Sequence, residues 1–136
     1  NAISTIALLT EISNRFIKKK SGTIAVISSV AGDRGRSSNY VYGSAKAMVS
    51  TFASGLRQRL NKYNVSVVTI KPAFIYTPMT KNNKKNLLWT QPSSIAPRIV
   101  KSIDSKKSEV YLPSFWRFIM LIIKLIPNFV FKKINL

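Results

Sequence analysis

The chain has no cysteine and no histidine among its 136 residues, and only four acidic residues: Glu11, Asp33, Asp104 and Glu109. The first absence excludes disulfides, thiolate metal sites and cysteine nucleophiles. The second excludes a Ser-His-Asp hydrolase built within this chain. With so few carboxylates, 22 Lys and Arg are left mostly unbalanced, giving a formal charge of +18 and a pI near 10.7. That balance is the electrostatic footprint of an anionic partner, either a nucleic acid or a lipid surface. The basic residues are scattered over helix ends, loops and tail without a zinc-finger, RNP-type or helix-turn-helix signature, so no specific nucleic-acid partner is expected. Only five glycines occur, and none builds a Gly-rich turn behind a strand. Also missing is an uninterrupted apolar run of about 20 residues, the length a bilayer-spanning helix needs.

What is present is a regular alternation of helix and strand. Residues 2–19 read as a helix, with Ile6, Leu9, Ile12 and Phe16 at helical spacing and Lys18, Lys19 and Lys20 at the end where cations suit the dipole. A strand at 23–28 follows, then a long helix at 40–61 whose small residues Gly43, Ser44, Ala45, Ala47, Ser50 and Ala53 permit close packing. Next come a strand at 65–71, a loop at 72–92, a short helix from Ser93 or Ser94 to Ser102, and a strand at 109–112. Strand and helix in alternation imply right-handed parallel crossovers, and hence an α/β fold.

Tyr42 and Lys46 stand four apart on the long helix, so their side chains share one face and the ammonium can sit beneath the phenol. A free tyrosine, with a pKa of about 10, is a poor base near neutrality, and a neighbouring cation favours its phenolate. Ser29 lies thirteen positions before Tyr42, at the end of Gly22-Thr23-Ile24-Ala25-Val26-Ile27-Ser28-Ser29-Val30-Ala31-Gly32, a glycine turn followed by a β-branched strand. The carboxyl ends of strands are where open α/β sheets bind ligands.

This arrangement resembles the short-chain dehydrogenase/reductase family, whose catalytic set is Asn, Ser, Tyr and Lys with the Ser thirteen before the Tyr. Asn1, 28 residues before Ser29, stands where that family's Asn would. Pro72-Ala73-Phe74-Ile75-Tyr76-Thr77 resembles the family's Pro-Gly-x-x-x-Thr segment beside the nicotinamide, with Ala73 in place of the usual Gly. The resemblance covers residues 1–112 and implies a Rossmann-like, doubly wound parallel sheet with helices on both faces. Of this the chain would be the carboxyl-terminal half, a fragment inactive by itself. It further implies hydride transfer between NAD or NADP and a ketone or secondary alcohol, with Asn1, Ser29, Tyr42 and Lys46 catalytic. Tyr42, Lys46, Pro72, Ile75 and Thr77 would face the cofactor, and no metal is involved.

The family's Gly-x-x-x-Gly-x-Gly turn, which sets backbone amides against the pyrophosphate, would lie in a missing amino-terminal half, as would the residue choosing NAD or NADP. A half-sheet exposes apolar surface and an unpaired edge, so poor solubility of the isolated fragment is expected. The helices at 2–19 and 40–61 would pair with a neighbouring subunit in a homodimer or tetramer. The loop from Thr80 to Gln91, with Lys81, Lys84, Lys85, Leu87, Leu88 and Trp89, lies where the family keeps a mobile substrate lid. A basic lid suits an anionic substrate, and it equally suits a plain solvated loop.

Residues 113–136 form a hydrophobic, basic tail. From Phe115 to Phe131 only Arg117, Lys124 and Asn128 interrupt the apolar side chains, and with Lys132 they fall near one face if the whole stretch is a helix. That pattern suits a helix lying in the interface of an anionic membrane, or one packed on its own domain. The expected location is the cytoplasm, peripheral at the membrane through this tail, with a lipidic or polyprenyl-linked carbonyl as one candidate substrate. The alternatives are a sugar epimerase or dehydratase of the family's extended branch, against which the short carboxyl-terminal region argues, and a membrane-associated scaffold without activity.

Overall fold

A computed structural model describes residues 1–81 and 86–134. Helix α1 spans Ile3–Lys19, strand β1 Gly22–Ile27, helix α2 Tyr40–Asn61, strand β2 Val65–Pro72, helix α3 Pro92–Asp104 and strand β3 Glu109–Leu112. Two short helices close the chain, α4 at Trp116–Leu125 and α5 at Asn128–Phe131. The strands form one parallel sheet in the order β1-β2-β3, with Gly22 opposite Val65 and Thr69 opposite Glu109 at the start of each pairing.

Helices cover both faces of the sheet at β2, which is buried almost throughout. Val65 and Val67 pack with Ile24 and Val26 against Leu9 of α1 and Val49, Ala53, Leu56 and Leu60 of α2. Val68 and Ile70, pointing the other way, pack with Leu112 against Ile95 and Ile99 of α3. Strand β1 is buried on one face only. Ala25 and Ile27 lie on the same face as Val68 and Ile70, at the edge that α3 leaves uncovered, and Ile27 stays 57% exposed. The apolar surface expected of a half-sheet is therefore present at the β1 edge.

Element boundaries shift by a few residues for local reasons. Strand β1 ends at Ile27, because Ser28 and Ser29 turn their side chains into hydrogen bonds around α2 and the following 3-10 turn at Val30–Gly32. Helix α3 is longer than expected and begins at Pro92, which suits a first helical position where no N–H is required. Within the loop at 72–92 a 3-10 turn forms at Pro78–Thr80. The tail differs most. A single helix from Phe115 to Phe131 does not form, since Pro127 pushes Ile126 into extended backbone at φ −61° and ψ 124°, and α4 stops at Leu125. Arg117, Lys124, Asn128 and Lys132 consequently do not share one helical face.

Helix α4 packs Trp116 and Met120, 4% and 3% exposed, against Val30, with Ile119, Ile123, Phe74 and Tyr111 around them. Arg34 secures the break behind it. Its Nη1 donates to the carbonyls of Ile123, Lys124 and Ile126 at 2.7, 3.0 and 2.6 Å, its Nη2 donates to Asn128 Oδ1 at 2.8 Å, and its guanidinium lies 3.9 Å from the Phe131 ring centroid. One arginine thus satisfies two of the carbonyls that the end of α4 leaves unpaired, and that of Ile126 just beyond it.

Candidate active site

Two glycines let the turn after β1 meet α2 at backbone distance. A Cβ on Gly32 would stand 2.7 Å from both Ala47 N and Lys46 C, and one on Gly43 would stand 2.8 Å from the Ala31 carbonyl. No side chain fits in either gap, so the Ser29 turn and the Tyr42–Lys46 helical turn are held against each other. Ser28 adds a polar lock: its Oγ donates to the Lys46 carbonyl at 2.9 Å and shares a 2.7 Å hydrogen bond with Ser50 Oγ. The pair of serines at a strand end was the signal for this role, and spacing arguments had singled out Ser29 alone.

Ser29 is buried at the carboxyl end of β1. Its Oγ accepts the Ala31 N–H at 3.1 Å and donates a long 3.4 Å bond to the Pro72 carbonyl. Lys46 Nζ lies 5.7 Å from the Tyr42 ring centroid and donates to the Ile27 carbonyl at 3.3 Å. Burial lowers the Lys46 ammonium from its ordinary pKa, because a charge held away from water is disfavoured.

The Pro72–Thr77 segment faces these residues. Ala73 N donates to the Leu112 carbonyl at 3.0 Å, and Ala73 is absent from the residues with positive φ, so alanine sits there without backbone strain. Ile75 pairs in parallel with Thr90, and the Thr80 hydroxyl donates to the Ile75 carbonyl at 2.8 Å while accepting the Thr77 N–H at 3.0 Å. Phe74 stacks on Trp89 at 5.3 Å and meets Trp116 edge-on at 5.1 Å, joining the far end of the 80–91 loop to α4. Of the lysines in the expected lid, Lys84 and Lys85 lie outside the described residues.

Ser29, Tyr42, Lys46, Pro72, Ile75 and Thr77 line one cavity of about 320 Å³, closed on its apolar side by residues of α3 that include Ile95 and Ile99. Asn1 does not line it. It borders an adjoining cleft of about 560 Å³ with Asn39, Ala45 and Tyr42, so Tyr42 is the side chain common to both spaces. Among the described residues no group of His, Cys, Asp and Glu is arranged to hold a metal ion.

A partly buried ionic cluster ties β2 and β3 to the turn after β1. Lys71 Nζ pairs with Asp33 at 2.6 Å and with Glu109, and the Tyr111 hydroxyl donates to Asp33 at 2.6 Å. Burial alone would lower the Lys71 ammonium, but its hydrogen bonds to Asp33 and Glu109 outweigh that and hold it raised. Burial, and then the bond to Asp33, push Tyr111 up to about 12. The available signal was a lysine inside a strand buried on both faces, in a chain with four carboxylates.

The short chain dehydrogenase profile matches residues 1–88. The chain belongs to the short chain dehydrogenase family. An uncharacterized oxidoreductase of Mycobacterium tuberculosis is 33% identical over 131 residues, which is 96% of this chain and 53% of that protein. Two solved short chain dehydrogenase folds resemble it closely. One is a short-chain dehydrogenase from Sphingobium yanoikuyae in complex with NADPH, with a TM-score of 0.73 at 18% identity over 93% of this chain and 54% of that one. The other is a 4-hydroxyisoleucine dehydrogenase complexed with NADH and succinate, with a TM-score of 0.67 at 24% identity over 82% and 53%. The chain thus spans about half the length of the relatives it matches, and its fold is the Rossmann fold of that family.

Proposed function

We propose that this chain carries the catalytic part of an oxidoreductase that moves hydride between a nicotinamide cofactor and a ketone or secondary alcohol. The observation that carries this is the convergence of Ser29, Tyr42 and Lys46 with Pro72, Ile75 and Thr77 on one cavity at the carboxyl ends of β1 and β2. The residues fit the nicotinamide end of the cofactor. They combine apolar walls at Pro72 and Ile75, a hydroxyl at Thr77 and the Lys46 ammonium, within a fold whose solved relatives bind NADPH or NADH. Bound there, the nicotinamide supplies or accepts the hydride.

The side chains of this chain handle the oxygen and its proton. Tyr42 donates its hydroxyl proton to the carbonyl oxygen of the substrate, and takes it back in the oxidative direction. Ser29 orients that oxygen: its bond to the Pro72 carbonyl is long and readily exchanged for one to substrate, while its tie to Ala31 N–H keeps the oxygen in place. Lys46 sets a cation beside the phenol, held by the Ile27 carbonyl at one end and by Ser28 at the other. Asn1, in the cleft on the other side of Tyr42, suits a residue that holds a water in the proton relay.

The apolar lining from Met79, Ile95 and Ile99 favours a hydrophobic carbonyl substrate. Exposed Ile3 and Leu8 on α1 and Val41 and Met48 on α2 support pairing of these helices with a second subunit. The test is turnover of NADH or NADPH with ketone substrates by the protein in the longest form its gene encodes, beside Tyr42→Phe. Loss of turnover with cofactor binding retained is expected, and native-like turnover in the variant refutes the assignment.

A further inference from the structure

Helix α4 carries two apolar stripes. The inward one, Trp116, Ile119, Met120 and Ile123, is spent on the domain. The outward one repeats the same spacing two residues on, at Phe118, Leu121, Ile122 and Leu125, and Phe118 and Leu125 are 70% and 72% exposed. Phe129 on α5 is exposed as well, because the break at Pro127 and the Arg34 clamp hold α5 against Arg34 through Asn128 and Phe131. Contiguous apolar exposure of this kind marks an interaction surface.

We propose that this outward face of α4 and α5 docks on an anionic phospholipid bilayer, with α4 lying in the plane of the interface. Charge selects the occupant. Arg117, Lys124, Lys132 and Lys133 are all exposed within the same segment, in a chain of net charge +18. Anionic headgroups complement such a face, while a second copy would bring two cationic surfaces together. Length selects the geometry, since among the described residues no helix is long and apolar enough to cross a membrane. An interfacial helix needs one apolar stripe and flanking cations, which is what remains after the inward stripe is packed. Docking sets α4 between the bilayer and the cofactor segment, because Trp116 at its start packs on Phe74.

The proposal goes beyond the redox assignment and does not depend on it, since binding is read without turnover. The experiment is co-sedimentation of the full protein with vesicles of phosphatidylcholine alone and of phosphatidylcholine mixed with phosphatidylglycerol, at several salt concentrations. Native protein is expected to bind the mixed vesicles. The charge-preserving Leu121→Ser/Leu125→Ser variant, with an unchanged unfolding midpoint, is expected to bind at least about tenfold more weakly. Should that pair perturb folding, Phe129→Ser on α5 gives a separate test of the same face. Native protein that stays off both vesicle types overturns the proposal. So does a stripe variant that binds like the native chain, because charge alone then suffices. Loss of a dimer in the stripe variant with vesicle binding intact would assign the face to a second copy instead.

Discussion

The Ser29 turn and helix α4 are docked at neighbouring positions by opposite means. The turn is held by the absence of side chains: Gly32 and Gly43 bring backbone against backbone, and Ser28 and Ser29 supply short polar ties. Helix α4 is held by large side chains, with Trp116 and Met120 buried on Val30 and one arginine across its terminal carbonyls. A contact made at backbone distance has no slack, whereas a packed aromatic surface can adjust. The Ser29 turn should therefore fail at a single added methyl group. The tail should tolerate changes on its outward stripe and fail at Arg34.

The largest effect is expected from chemistry alone. Tyr42→Phe removes the proposed proton donor while leaving packing intact, and turnover should fall by roughly 10²- to 10⁴-fold, the usual share of a general acid, with cofactor affinity little changed. Isothermal titration beside steady-state rates separates the two. Next comes Gly32→Ala, whose methyl would meet backbone atoms at 2.7 Å. We expect a loss of about 2–3 kcal/mol, the upper part of the overpacking range, with activity falling more than stability accounts for. Denaturant unfolding measures it, and Gly55→Ala is the control, because nothing lies within 4 Å of a Cβ there. That exchange should instead stabilise α2 by about 0.5–1 kcal/mol.

Arg34→Ala should cost about 1–2 kcal/mol, the lower end for hydrogen bonds to a charged donor because some of its acceptors are solvent-exposed. The loss should be regional. Hydrogen exchange is expected to speed up across 116–131 while the amides of α2 keep their protection, and uniform acceleration would show that the tail is not separable. Arg34→Lys should rescue only in part, since one ammonium cannot reach several carbonyls as a planar fork does.

The smallest effect is one of pH. Tyr111, normally near 10.0, is pushed up to about 12, by burial first and the Asp33 bond second. A raised pKa means that this stabilisation is whole below pH 10 and is lost as pH climbs towards 12. Lys71 is raised too and works in the same direction. The unfolding midpoint should therefore fall across that window, and Tyr111→Phe should flatten the fall. An identical slope in the variant would assign the alkaline loss to other groups.

Much of the site was legible because its parts are close in sequence. Tyr42 and Lys46 lie four apart in one helix, and helical periodicity brings them to one face whatever surrounds them. Ser29 ends a strand that leads through one turn into that helix. Asn1 was harder, since its position depends on how α1 lies beside α2, and it borders the neighbouring cleft. The Lys71 cluster joins three separate stretches, Asp33 after β1, Lys71 of β2, and Glu109 with Tyr111 of β3; strand alternation puts the last two on one face, but no periodicity links the three stretches.

By itself, the order of residues determined the parallel α/β alternation and the face shared by Tyr42 and Lys46. Both rest on repeats of 3.6 or 2 residues along the chain. Tertiary structure alone decided which stripe of α4 is buried, where the tail bends against Arg34, and how Lys71 keeps its charge inside the protein. These outcomes depend on groups hydrogen-bonded from as far as 94 positions apart, and contact at that range is set by packing of the whole fold, not by local preference.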